Sequence, residues 1–154
     1  MIILGVETSC DETAVAVLKE GEPISLLSSQ IDLHKPYGGI VPELACRRHI
    51  EVIGPLVSEL LRRADCTPAQ LDAVAVTAGP GLIGALLVGV SFTKGLAYAL
   101  KIPLLSVHHL EGHISSIFLE HKTVLFPAIA LVVSGGHTSL YRMDGPGGPY
   151  RLLG

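Results

Sequence analysis

Three short apolar runs in succession, Ile2–Val6, Ala14–Leu18 and Ile24–Leu33, open this chain, joined by a polar turn at 7–13 and by Gly21-Glu22-Pro23. Runs of that kind separated by turn residues predict an antiparallel meander. The period then changes: within Leu44–Ala64, Ile53, Leu56, Val57, Leu60 and Leu61 recur at helical spacing. Gly54-Pro55 marks a kink or a break, predicting one helix in two pieces, because proline removes a helical hydrogen bond. Leu71–Ala78 reads as a buried strand and Gly79-Pro80-Gly81 as a turn. Gly84–Leu100 reads as a long helix whose Gly84, Gly89 and Gly95 permit close packing, and Pro103–Val107 as a parallel strand.

Three meandering strands followed by helix, strand, helix and strand predict a ribonuclease H-like α/β architecture, a mixed sheet with helices on its faces. A second copy begins further on. Ile129–Val133, the polar turn Ser134-Gly135-Gly136-His137-Thr138 and Ser139–Met143 repeat the opening strand, turn and strand, and Tyr150–Leu153 starts a third strand. The expected division is a first subdomain over 1–124, including the histidine helix described next, and an incomplete second one over 125–154.

In Val107-His108-His109-Leu110-Glu111-Gly112-His113, two histidines stand four residues apart just after a strand. If the run opens a helix, both imidazoles leave one face a turn apart, a metal-ligand geometry. Ile114, Ile117 and Phe118 support the helix, and the carboxyl end of a strand is where open α/β sheets place ligands. Exposed histidines on a helix also occur without a metal. Glu111 lies two residues after His109, about 200° around the helix, which aims it away from such an ion and disfavours a metalloprotease.

Gly79-Pro80-Gly81-Leu82-Ile83-Gly84 matches the dinucleotide fingerprint, yet the stretch 100–107 has no carboxylate to hold a ribose, so a tight turn before a packed helix is the better reading. Ser134–Thr138 fits either a phosphate cradle, with adjacent glycines letting backbone N–H groups converge, or an ordinary hairpin turn; its duplication of the first turn favours function. In that first turn Asp11 and Glu12 stand among Thr8, Ser9 and Thr13, and a carboxylate there could act as a base or position a ligand.

With 154 residues, 49% of them hydrophobic, the chain can bury a full core. A formal net charge of −3 and only 16% charged residues argue against autonomous binding of a nucleic-acid backbone, and Arg47, Arg48, Arg62 and Arg63 read as a solvated face. Cys10, Cys46 and Cys66 lack a Cys-x-x-Cys spacing and follow no secretory signal, which suits a reducing cytoplasm. Leu82–Leu100, broken by Lys94, reads as a helix packed inside a soluble domain, not a membrane span.

Taken together, Gly5-Val6-Glu7-Thr8-Ser9-Cys10-Asp11-Glu12-Thr13, Gly38-Gly39-Ile40-Val41-Pro42-Glu43, Thr77-Ala78-Gly79-Pro80-Gly81-Leu82, His108–His113 and Val132–Thr138 resemble the TsaD family, the catalytic subunit of tRNA threonylcarbamoyladenosine synthesis. The family was once labelled O-sialoglycoprotein endopeptidase, which the position of Glu111 disfavours; the resemblance implies transfer. It implies an actin-like ATPase-type fold of two ribonuclease H-like subdomains. It also implies transfer of threonylcarbamoyl from threonylcarbamoyl-adenylate to the exocyclic amine of the adenosine beside the tRNA anticodon. Position by position, His109 and His113 would hold one divalent ion, iron or zinc, whose aspartate ligand falls in the family's second half. Val132, Val133, Ser134, Gly135 and Gly136 would bind the adenylate, with Asp11 and His137 the candidate base and polarising group. The implied partners are a TsaB-like paralogue, a TsaE-like ATPase and tRNA. The chain resembles an amino-terminal half, cut within the second subdomain and expected to be inactive alone; apart from the resemblance, a homodimer through the open edge of its unfinished sheet is one arrangement that the sequence leaves open. A paralogue-like binding module and an actin-like-fold ATPase are the other readings.

Overall fold

The computed structural model describes residues 1–121, 123–134 and 138–154, in two compact units, Met1–Val107 and His108–Gly154. In the first, β1 (Ile2–Glu7), β2 (Glu12–Lys19) and β3 (Glu22–Ser29) form the expected antiparallel meander, with Gly5 opposite Ala16 and Ala16 opposite Ser25. β4 (Ala73–Gly79) pairs parallel to β1, and β5 (Leu104–His108) completes the order β3-β2-β1-β4-β5. β4 carries no charged residue because a central strand is covered on both faces.

The third run ends sooner than its apolar pattern predicts. β3 stops at Ser29, and Ile31–His34 form a single helical turn, α1, with the Gln30 carbonyl accepting from the N–H groups of Leu33 and His34 at 3.0 and 3.2 Å. α2 (Pro42–Arg63) also departs from expectation, being one unbroken helix with Pro55 inside it. An internal proline costs about 3 kcal/mol. Burying Ile53, Val57, Leu60 and Leu61 against the sheet returns roughly 1.5–3 kcal/mol for each side chain, so tertiary packing prevails. The core lies between α2 and the sheet, where Leu4, Val15, Val17, Leu60 and Val74 lose essentially all exposure. On the outer side of α2, Arg62 and Arg63 both donate to Glu59, holding its carboxyl down at about 2, and Arg48 pairs with Glu51, so those arginines form the solvated face expected.

α3 (Ile83–Leu100) buries Ala85, Gly89, Thr93 and Ala97, a stripe of small residues at helical repeat, and packs on α2 and β4. It is long and apolar enough to cross a membrane by length and composition, but only 22% of it is buried, so it lies on one face of its unit and not inside it. Ile83, Leu87 and Tyr98 occupy its open side. The glycines of the fingerprint-like turn serve packing: a Cβ on Gly81 would stand 2.5 Å from the Ser9 carbonyl oxygen, which also accepts from Leu82 N–H, and one on Gly84 would meet Cys46 Sγ. Gly81→Ala is therefore expected to cost about 1–3 kcal/mol, because the obstacle is backbone. Gly54→Ala, in an open helical position with nothing within 4 Å, is expected to gain roughly 0.5–1 kcal/mol. Denaturation midpoints of the two variants check this opposition of sign.

The second unit contains α4 (His109–Ser115), α5 (Ile117–Glu120) and an antiparallel sheet of β6 (Ala128–Val133), β7 (Thr138–Met143) and β8 (Tyr150–Leu152), the second meander foreseen from the repeat. Leu110 and Ile114 of α4 pack with Tyr141 and Met143. The histidine helix thus counts with the second unit, so the compact units divide between Val107 and His108, whereas the sequence reading put its boundary at 124/125.

Candidate functional site

α4 starts directly at His109, with His108 extended before it, so His109 and His113 stand one turn apart. Their Nε2 atoms converge to 3.1 Å, with the rings edge-on at 79°. Two imidazole nitrogens bound to one tetrahedral ion at about 2.0–2.1 Å lie roughly 3.3 Å apart. The pair therefore fits a shared metal, with Nε2 as donor on both rings. Among the described residues, no cluster of three or more His, Cys, Asp or Glu side chains completes such a site.

His113 also lines a cavity of about 460 Å³ together with Ile114, Ala130, Val132, Val133 and Ser134. β6 alternates strictly: Ala128, Ala130 and Val132 turn toward the apolar cluster of this unit, while Ile129, Leu131 and Val133 are exposed. Of the five residues matched to adenylate binding, the structure thus brings Val132, Val133 and Ser134 to one cavity with a candidate metal ligand. Gly135, Gly136 and the proposed polarising His137 lie outside the described residues.

The first unit carries the acidic turn between β1 and β2. Asp11, the candidate favoured from the sequence, is half-buried, and Glu12 is exposed. The turn is tied down on several sides. Gln30 N–H donates to the Asp11 carbonyl at 3.0 Å, Leu82 N–H to that of Ser9 at 2.8 Å, and Thr8 Oγ1 donates to the Ala85 carbonyl at 2.8 Å. Ser9 N–H closes onto the Glu7 carboxylate. Burial, then the neighbouring Asp11 and Glu7 carboxylates, push the Cys10 thiol up, so Cys10 is held as a neutral thiol and is a poor nucleophile at neutral pH.

Sequence reasoning missed His49. It is fully buried beneath this turn, its Nε2 3.0 Å from the Cys10 carbonyl and its Nδ1 2.8 Å from Thr13 Oγ1. The available signal was its register: His49, Ile53, Val57 and Leu60 share one helical stripe. Burial lowers its pKa from the ordinary value of 6.5. A ring neutral when folded and ordinary when unfolded makes the unfolded chain bind more protons below pH about 6.5. This contribution is intact above that pH and is lost as pH falls below it, at up to about 1.4 kcal/mol per pH unit. Denaturation of the parent and of His49→Gln at pH 7 and in mild acid should show the larger acid loss in the parent.

The segment 24–154 matches the family model TsaD, tRNA N6-adenosine threonylcarbamoyltransferase. Two curated relatives named tRNA N6-adenosine threonylcarbamoyltransferase are similar along the chain. That from Trichlorobacter lovleyi is 56% identical over 156 residues, covering 100% of this chain and 45% of the relative. That from Carboxydothermus hydrogenoformans is 58% identical over 155 residues, covering 99% of this chain and 46% of the relative. The chain thus spans a little under half the length of the relatives it matches. Among solved structures, YeaZ from Pseudomonas aeruginosa aligns with a TM-score of 0.68 at 24% identity, covering 100% of this chain and 66% of that one. The ethanolamine utilization protein EutJ from Carboxydothermus hydrogenoformans aligns at 0.54 and 14%, covering 100% and 50%. These likenesses are of fold, a ribonuclease H-like subdomain of the actin-like ATPase superfold followed by the start of another.

Proposed function

Because this chain belongs to the TsaD family, tRNA N6-adenosine threonylcarbamoyltransferase, we propose that it forms the amino-terminal part of an enzyme that moves threonylcarbamoyl from threonylcarbamoyl-adenylate to the exocyclic amine of the adenosine beside the tRNA anticodon. The observation that carries this reading is the cavity shared by His113 and the Val132–Ser134 end of β6, which sets a metal-ligand candidate beside the strand matched to adenylate binding. His109 and His113 hold one divalent ion, iron or zinc, through Nε2. When bound, that ion supplies positive charge that stabilises oxyanion character on the substrate.

The chemistry left to the chain follows from the nucleophile. The exocyclic amine is weak because its lone pair is conjugated with the purine ring, so positioning and proton removal must provide much of the rate. As its nitrogen bonds to the carbamoyl carbon, the bond from that carbon to the phosphate oxygen breaks, AMP leaves, and Asp11 takes the proton. Val132, Val133, Ser134, Gly135 and Gly136 hold the adenylate, and His137 polarises the substrate.

The partners are tRNA, a TsaB-like paralogue and a TsaE-like ATPase, in the cytoplasm. Ile50, Ile53, Leu87, Val88, Ser91 and Phe92 surround an apolar hollow of about 390 Å³ on α2 and α3, a surface suited to the paralogue's helices. The test is elemental analysis of a full-length enzyme carrying this segment. One ion per chain, lost in His109→Ala/His113→Ala, is expected; an ion retained by the double variant would overturn the ligand assignment.

A further inference from the structure

The first unit contains a line of buried polar side chains that the transfer chemistry leaves unused. Gln30, His34 and His49 are each at most 4% exposed, and they come from the end of the meander, from α1 and from α2. The hydrogen-bond directions are fixed from the two ends. At one end, the Cys10 carbonyl can only accept, so His49 Nε2 carries the proton and donates to it at 3.0 Å. The Nδ1 of that neutral ring is then an acceptor, taking a strong bond from Thr13 Oγ1 at 2.8 Å and a weaker one from Gln30 Nε2 at 3.4 Å. At the other end, the Val41 N–H can only donate, so His34 Nδ1 accepts from it at 3.3 Å. His34 Nε2 therefore carries the proton and donates to Gln30 Oε1 at 3.2 Å.

Gln30 satisfies both ends at once: its amide oxygen faces the His34 donor and its amide nitrogen faces the His49 acceptor. Every member donates toward Cys10, from Val41 through His34, Gln30 and His49. The backbone of Gln30 adds a bond to the Asp11 carbonyl at 3.0 Å, so the turn is gripped at adjacent carbonyls by two successive members of the line, Gln30 and His49. Val41 is the extended residue that caps α2, immediately after the Gly38-Gly39-Ile40 loop, in which Gly38 adopts a left-handed conformation at φ 70°. A reversed ring at either histidine would oppose donor to donor, and a buried polar group left unpaired costs more than the bond it forgoes.

We propose that Val41, His34, Gln30 and His49 form a one-directional positioning relay that fixes the turn bearing Asp11 and couples its place to the Gly38–Val41 loop. His34, Gln30 and His49 are positioning residues and do not touch the reacting atoms. The role of the turn in transfer rests on the proposed function above, whereas the relay itself stands on this geometry.

The tautomers of His34 and His49 are read in the unaltered chain by nitrogen-15 NMR at neutral pH, and the backbone amides of Asp11 and Glu12 are followed in His34→Leu and His34→Gln. Both rings are expected in the Nε2–H form. The two amide signals should move in His34→Leu and return in His34→Gln, whose side chain supplies both an acceptor and a donor. An Nδ1–H ring, or Asp11 and Glu12 signals unmoved in His34→Leu, would overturn the relay. If His34→Leu fails to fold, the tautomers alone decide. In the full-length enzyme His34→Leu is expected to lower kcat at least tenfold at unchanged KM for tRNA, with rescue by His34→Gln. A displaced turn with undiminished transfer would support the relay and count against Asp11 as base.

Discussion

Asparagine in place of Asp11 is expected to slow threonylcarbamoyl transfer by a full-length enzyme by about 10²–10⁴-fold, the usual worth of a positioned general base. The substitution keeps the size of the side chain while removing its charge and its capacity to take up a proton. Asp11 is half-buried in a turn whose backbone is held by Gln30, Leu82 and His49, so the fold should survive and tRNA binding should not change. Glu12→Gln, at an exposed neighbouring position, is expected to lose far less. Single-turnover rates with preformed threonylcarbamoyl-adenylate separate the two, and equal rates in Asp11→Asn and the parent would remove Asp11 from the chemistry.

Leu60→Ala should produce the largest loss of stability, about 2–5 kcal/mol, from the transfer term and the cavity left behind. Leu60 has no exposed surface and sits on α2 in the cluster that contains Leu4, Val17 and Val74. Against a total of roughly 5–15 kcal/mol for a domain, that is a large fraction. Ile50→Ala, on the same helix but 65% exposed, is expected to change stability by no more than about 0.5 kcal/mol. Urea titrations of both variants measure the contrast.

The parts of the fold legible in the sequence were those with a short period. The apolar runs of β1 and β2, the helical stripe of α2 and the repeated strands within 129–133 and 139–143 are local patterns, and the structure forms each of them. What the sequence concealed depends on tertiary burial. Pro55 looks like a break until the packing of its neighbours is counted, and Ile31–Leu33 look like more strand until the chain turns at Gln30. The open side of α3 was hidden for a similar reason, since its sequence is apolar nearly all round and only the small residues become fully buried, while Val90, Phe92, Leu96 and Leu100 are partly covered.

The site divides in the same way. His109 and His113 were visible because one helical turn carries both, and their nitrogens do converge. The link from Gln30 to His49 spans 19 positions and joins the end of the first meander to α2, so no spacing rule could find it. Gly81 and Gly84 resembled a nucleotide fingerprint, whereas their immediate surroundings are Ser9 and Cys46.

The most direct measurement is transfer itself. A full-length enzyme carrying this segment is given preformed threonylcarbamoyl-adenylate labelled in the threonine, together with tRNA, and label on the tRNA is counted against AMP released. Label is expected on the adenosine beside the anticodon, with one AMP for each transfer and no turnover without tRNA. Absence of label, together with hydrolysis of ATP supplied in a parallel reaction whether or not tRNA is present, would contradict this and favour an ATPase built on the same fold.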